Sequence, residues 1–122
     1  MNLASIFKSA KDAKDYPAGK TIFAQGDPSD VMYVVLEGDL DLLRGGQSLG
    51  TVSAGAIVGE MALIDKNAPR SATIIAKTDC RLAPIDEKRF EWMVPQTPFF
   101  AIHVMRVLVD RLRRTTERAT TA

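Results

Sequence analysis

A chain of 122 residues is the length of one domain, and such a domain buries roughly two-thirds of its unfolded surface. Its 16 basic and 15 acidic residues leave a net charge of +1, which argues against a whole surface given over to nucleic acid. No apolar run approaches the roughly 20 residues that cross a bilayer, and MNLASIFKSAKDAKDY lacks a signal-peptide core, so a cytoplasmic protein with no membrane attachment is expected.

In chain order, Asn2 to Ala13 mixes Leu3, Ile6 and Phe7 with Lys and Asp, which predicts one or two short amphipathic helices in an N-terminal segment 1–16. YPAGKTIFAQGDPSD then breaks helix with Pro17, Gly19, Gly26 and Pro28, leaving KTIFA as a short strand. VMYVVLEG and DLDLLRGG are β-branched and apolar runs, each closed by glycine. Gly45-Gly46 supplies the positive φ values of a tight hairpin. SLGTVSAGAIVG offers a further strand and a turn, and SATIIAK and CRLAPI two more strands. Many short strands separated by glycine turns indicate an antiparallel roll or sandwich.

From residue 87 the pattern becomes helical. DEKRFEWMV reads as a helix with Asp86 and Glu87 in its first turn, where negative charge meets the positive end of the dipole. Pro95 and Pro98 end it and start the next. The last helix runs from Phe99 to about Arg118, with Ala101, Met105, Leu108, Leu112 and Thr115 at the spacing of a coiled-coil seam. Such a stripe predicts a homodimer through this helix, with ordinary docking on the domain as the alternative. The arginines here, Arg111 among them, read as a solvated helix face.

The stretch GEMALIDKNAPRSAT, Gly59 to Thr73, is not what a packed core requires. The first turn of a helix leaves backbone N–H groups free for an anion. Gly59 lets a ligand approach the main chain. Arg70 adds a planar fork suited to two oxygens of one phosphate, Ser71 a hydroxyl, and Ala72 a small wall. A carboxylate repels phosphate, so Glu60 must meet another part of the ligand, and a ribose hydroxyl suits it. The alternative is a surface ion pair between Glu60 and Arg70 around a loop.

This stretch resembles the phosphate-binding cassette of cyclic-nucleotide-binding domains, with Gly59, Glu60, Ala62, Leu63, Pro69, Arg70, Ala72 and Thr73 matching as they stand. QGDPSDVMYVVLEGDLDLL is similar to the family's second landmark, and the terminal helices occupy the family's usual places. The resemblance implies one domain over 1–122, mainly β with flanking helices. Its centre is an antiparallel β-roll (double-stranded β-helix or jelly roll) at 17–86 with the cassette at 59–73, before C-terminal helices at 87–122. It also implies a bound cyclic nucleotide held by Gly59, Glu60, Met61, Ala62, Arg70, Ser71 and Ala72.

Within the family the sequence is most similar to the sensor half of bacterial catabolite activators. That likeness implies that Thr115 and Thr116 contact adenine and that Leu42, Leu49 and Val52 wall the base. Ser71 also resembles the activator pattern, so cAMP is expected, with cGMP as the alternative. A regulatory module without catalysis or cofactor follows, acting on an unidentified downstream protein. The chain stops at Ala122, leaving no room for a DNA-binding helix-turn-helix. Two other readings stand beside it: the sensor part of a transcription regulator, and a pocket that has lost its nucleotide. A cupin-like metal enzyme is disfavoured, because that chemistry needs several histidines and the chain has only His103, within an apolar helical run. A single Cys, Cys80, precludes an intramolecular disulfide.

Overall fold

Eight strands carry the short β-branched runs: β1 (Lys14–Tyr16), β2 (Thr21–Phe23), β3 (Val31–Glu37), β4 (Asp39–Arg44), β5 (Gln47–Ser53), β6 (Ile57–Val58), β7 (Thr73–Ala76) and β8 (Cys80–Asp86). Two helices follow, α1 (Glu87–Gln96) and α2 (Pro98–Thr121). The computed structural model describes Phe7, residues 11–60 and residues 69–121, excepting the side chains of 111 and 114–121. The chain divides into two compact units, Met1–Glu87 and Lys88–Ala122.

The first unit holds two four-stranded antiparallel sheets, ordered β1-β8-β3-β6 and β2-β7-β4-β5. Their facing sides supply one core of Val35, Leu40, Val58, Ile74, Ala76, Cys80 and Leu82, drawn from both sheets, as expected where two pleated faces interdigitate. Alternation along β3 breaks at Val34, Val35 and Leu36, all buried. A register shift between Val35 and Glu37 against β8 accounts for it, because a bulge turns an extra side chain inward.

Gly45 and Gly46, at φ 59° and 78°, close the β4–β5 hairpin as the sequence predicts. Within it Leu42 pairs with Gly50 and Leu43 with Ser48, so Leu49 is the unpaired residue of a bulge. SLGTVSAGAIVG forms parts of two strands rather than one, divided by a turn in which the Gly55 amide donates to the Val35 carbonyl at 2.8 Å.

The described leader differs from expectation. Lys14–Tyr16, placed with the helical segment on sequence, is strand β1 paired to β8. Half-buried Tyr16 packs against the core, and three residues gain more from that edge than from an isolated turn. The helices expected over Asn2 to Ala13 fall largely outside the described residues.

Asp86 ends β8 instead of opening α1, which begins at Glu87. Pro95 lies inside the last turn of α1, and Thr97 closes it, its amide and hydroxyl both donating to the Met93 carbonyl at 2.8 and 2.9 Å. Pro98 opens α2, where its missing N–H costs nothing. The Phe90 and Phe100 rings meet edge to face, centroids 6.0 Å apart.

On α2 the residues of the expected seam fall on two neighbouring faces. Phe100 and Val104 are buried and Ala101 and Leu108 half-buried, whereas Ile102, Met105, Val109 and Leu112 are exposed in a continuous line. At 3.6 residues per turn two adjacent stripes of this helix are apolar, and spacing alone does not say which is covered. Thr115 is helical, with its side chain outside the described residues. No helix among the described residues is long and apolar enough to cross a membrane.

Candidate functional site

Gly59 and Glu60 follow β6 directly, and Arg70 lies just before β7, so the ends of one strand from each sheet bring the cassette's two charged residues together. Gly59 has φ 73°, a conformation an L side chain reaches only with strain. A Cβ there would also lie 2.5 Å from Arg70 Nη1. The glycine thus serves the packing of Arg70 as well as the exposure of the main chain.

Neither charged residue is at the surface. Glu60 is 0% exposed and Arg70 7%, which rules out the surface ion pair entertained from the sequence. Arg70 Nη2 donates to the Val31 carbonyl at 2.7 Å, and Nη1 makes a long contact of 3.4 Å with the Gly59 carbonyl. The guanidinium carbon lies 4.0 Å from the centroid of the Phe23 ring, within cation–π range. Nε is buried and has no hydrogen-bond acceptor among the described residues. Five N–H groups radiate in the guanidinium plane, so this fork is anchored but unsaturated.

Burial pulls the Arg70 guanidinium below its ordinary value, and the charges of Tyr33, Asp30, Asp27 and Glu60 push it back up. A guanidinium titrates so high that it stays protonated at neutral pH. A buried cation ringed by carboxylates is the outcome, electrostatically matched yet with donors to spare.

The main chain of Arg70 is equally fixed. Its amide donates to the Asp27 carbonyl at 2.9 Å, and its carbonyl accepts from the Gly26 amide at 2.8 Å. The Ala24 amide donates to Asp27 Oδ2 at 3.0 Å and the Gln25 amide to Thr73 Oγ1 at 2.8 Å. The Gln-Gly-Asp turn picked out in the sequence therefore clasps the arginine end of the cassette. Across the second sheet Arg44 Nε donates to the Ser71 carbonyl at 3.1 Å.

The other expected site residues divide into three groups. Ser71 is exposed and Ala72 buried, beside Arg70. Leu42 and Val52 are half-buried and packed against the common core, while half-buried Leu49 is the bulge residue. Met61, Ala62 and Leu63 lie outside the described residues, as do the side chains of Thr115 and Thr116 on α2. His103 is half-buried in α2, and no cluster of three metal-ligating side chains exists among the described residues.

Sequence reasoning missed Phe23 and Tyr33. Their rings stack with centroids 6.2 Å apart and planes inclined by 23°, and Arg70 caps the pair over Phe23. Each aromatic reads as ordinary strand core in a linear scan. The only available signal was an aromatic just before the Gln-Gly-Asp turn.

The family described as the cyclic nucleotide-binding domain matches residues 13–97. The cAMP-dependent protein kinase regulatory subunit of Aspergillus niger is 40% identical over 84 residues, covering 67% of this chain and 20% of that protein. The CRP-like cAMP-activated global transcriptional regulator of Mycobacterium tuberculosis is 30% identical over 106 residues, covering 83% of this chain and 47% of its own length. The crystal structure of Thermus thermophilus catabolite activator protein superposes with a TM-score of 0.78 at 32% identity, over 87% of this chain and 52% of that one. The chain thus spans between a fifth and about half of the length of these relatives.

Proposed function

The chain belongs to the cyclic nucleotide-binding domain family, and from that premise we propose that it is a cAMP-binding regulatory module. Arg70 meets the cyclic phosphate, with main-chain amides of the cassette beside it. Glu60 accepts hydrogen bonds from the ribose, and Ser71 and Ala72 flank the phosphate. Leu42, Leu49 and Val52 line the base, and Thr115 and Thr116 supply hydroxyls to adenine. The module is not itself a catalyst.

The observation that carries this reading is the anchored but unsaturated guanidinium of Arg70. A side chain only 7% exposed, with an unmatched Nε donor among the described residues, sits where the cassette's glycine turn and buried Glu60 converge. A structural arginine is normally fully bonded. A phosphate diester supplies the missing acceptors and a compensating charge.

Preference for cAMP is supported by the names of the kinase subunit and the mycobacterial regulator. The Ser71 hydroxyl leaves cGMP as the competing ligand. Occupancy is transmitted through α2 to a second copy of the chain or to a downstream protein, and it shifts that equilibrium only by the ligand's difference in affinity for the two states. A second reading, the sensor part of a transcription regulator, is favoured by the match to the mycobacterial protein along most of this chain.

Isothermal titration with cAMP and cGMP tests the proposal. Stoichiometric binding of cAMP, tighter than cGMP, is expected. No heat from either at millimolar ligand overturns the ligand class, and tighter cGMP binding overturns the preference.

A further inference from the structure

The contacts of Arg70 within the protein carry one more step. A guanidinium stacked on a ring keeps its N–H groups in its own plane, so stacking and hydrogen bonding do not compete. Here the Phe23 ring fixes the face of the group at 4.0 Å. The Val31 carbonyl fixes one edge at 2.7 Å. These contacts leave Nε for an incoming anion, as it has no acceptor among the described residues.

We infer that Phe23 is a positioning residue for Arg70, holding the guanidinium in its phosphate-accepting orientation before nucleotide arrives. Phe23 is in turn braced by Tyr33, ring against ring at 6.2 Å. Phe23 ends β2 in one sheet, and Tyr33 lies on β3 in the other. The brace therefore spans the two sheets that carry the two halves of the cassette. An arginine on a long flexible stem loses rotamer freedom when it binds phosphate. A ring that has already taken up that loss makes the same phosphate bonds more favourable.

This inference rests on the nucleotide reading above for its effect on affinity, but not for the orientation of Arg70 itself, so the test uses two readouts on the full chain. In nucleotide-free protein, the Nε–Hε signal of Arg70 is assigned through Arg70→Lys and followed in Phe23→Leu and Phe23→Tyr. An aromatic face beneath the group displaces that proton upfield. Phe23→Leu abolishes the displacement and Phe23→Tyr retains it. In parallel, titration with cAMP gives about ten-fold weaker binding for Phe23→Leu, consistent with losing one cation–π contact, and near wild-type binding for Phe23→Tyr.

An Hε signal unmoved by Phe23→Leu overturns the inference, as does a shifted signal with unchanged affinity. If Phe23→Leu fails to fold, failure of Phe23→Tyr to preserve the wild-type shift overturns it instead. If wild-type protein binds neither cAMP nor cGMP, the nucleotide reading falls, and the positioning of Arg70 stands or falls on the Hε shift alone.

Discussion

Replacing Arg70 with alanine perturbs two things at once, and the structure separates them. Within the protein Arg70 makes one short charged hydrogen bond, to Val31 at 2.7 Å. A hydrogen bond to a charged group is worth about 1.5–3 kcal/mol. Its cation–π contact with Phe23 at 4.0 Å adds about 0.5–2 kcal/mol. The 3.4 Å contact with Gly59 is too long to add much. Against these stands the cost of burying the cation, visible as the pull of its pKa below the ordinary value. The balance is a loss of about 2 kcal/mol, and at roughly 4 °C per kcal/mol for a domain of this size the melting temperature falls by about 8 °C.

The ligand readout is independent of that loss. Wild-type protein at a hundred times Kd gains about 2.7 kcal/mol, or roughly 11 °C. Arg70→Ala shows no ligand-dependent rise. Arg70→Lys keeps the charge but loses the fork, so it melts nearer to wild type and still responds weakly. Scanning calorimetry with and without cAMP reads both quantities. A variant that melts lower yet keeps the full ligand shift refutes the phosphate role and leaves the structural one. A variant indistinguishable from wild type in both scans refutes the whole account of Arg70.

Glu60→Gln weakens the acceptor for ribose, so the preference for cAMP over 2′-deoxy-cAMP narrows by about ten-fold in competition titrations; an unchanged ratio removes Glu60 from the sugar. Gly38→Ala is expected to cost more than Gly50→Ala, although both positions have positive φ, 88° and 133°. At Gly38 a Cβ meets the Asp79 carbonyl and lies 2.7 Å from Cys80 Sγ, whereas at Gly50 it meets nothing within 4 Å. Strain alone accounts for about 1–2 kcal/mol, and urea denaturation showing equal losses refutes the packing argument. Burial, then the charge of Tyr33 and a hydrogen bond with it, raise the Tyr16 phenol above its ordinary value. The protonated fold is therefore favoured, its stability intact below about pH 10 and lost as pH rises through the folded value. Tyr16→Phe flattens that alkaline loss in melts between pH 9 and 11, and an unchanged slope excludes Tyr16 as its source.

What the sequence disclosed follows the range of the forces involved. Gly45-Gly46 and the β4–β5 hairpin were legible because a tight turn is a local steric matter. The Gly59–Arg70 cassette was legible as residue types at a fixed spacing. The bulge at Leu49, a wall residue by the family likeness, was not, since register depends on the partner strand. On α2 the sequence left open which stripe is covered. Two neighbouring apolar stripes satisfy the same periodicity, and only burial distinguishes Phe100 and Val104 from Ile102 and Met105. The ring under Arg70 was out of reach altogether, because Phe23 and Arg70 meet only through the packing of two sheets.

Arg70 and Glu60 bear on nucleotide binding in different ways. Arg70 bonds to Val31 and stacks on Phe23 within the roll, so it has a structural role beside any role in binding. Glu60 is the buried carboxylate beside that cation. A carboxylate at 0% exposure carries a desolvation penalty of several kcal/mol that a leucine or methionine avoids. Its charge does act favourably on Arg70, but Asp27 and Asp30 act on the same cation from exposed positions at far smaller cost. A buried carboxylate at that place can accept a hydrogen bond from a ribose hydroxyl. The ribose-to-deoxyribose ratio at Glu60 therefore tests the sugar contact, as the ligand shift of Arg70→Ala tests the phosphate contact, and the two measurements are read together.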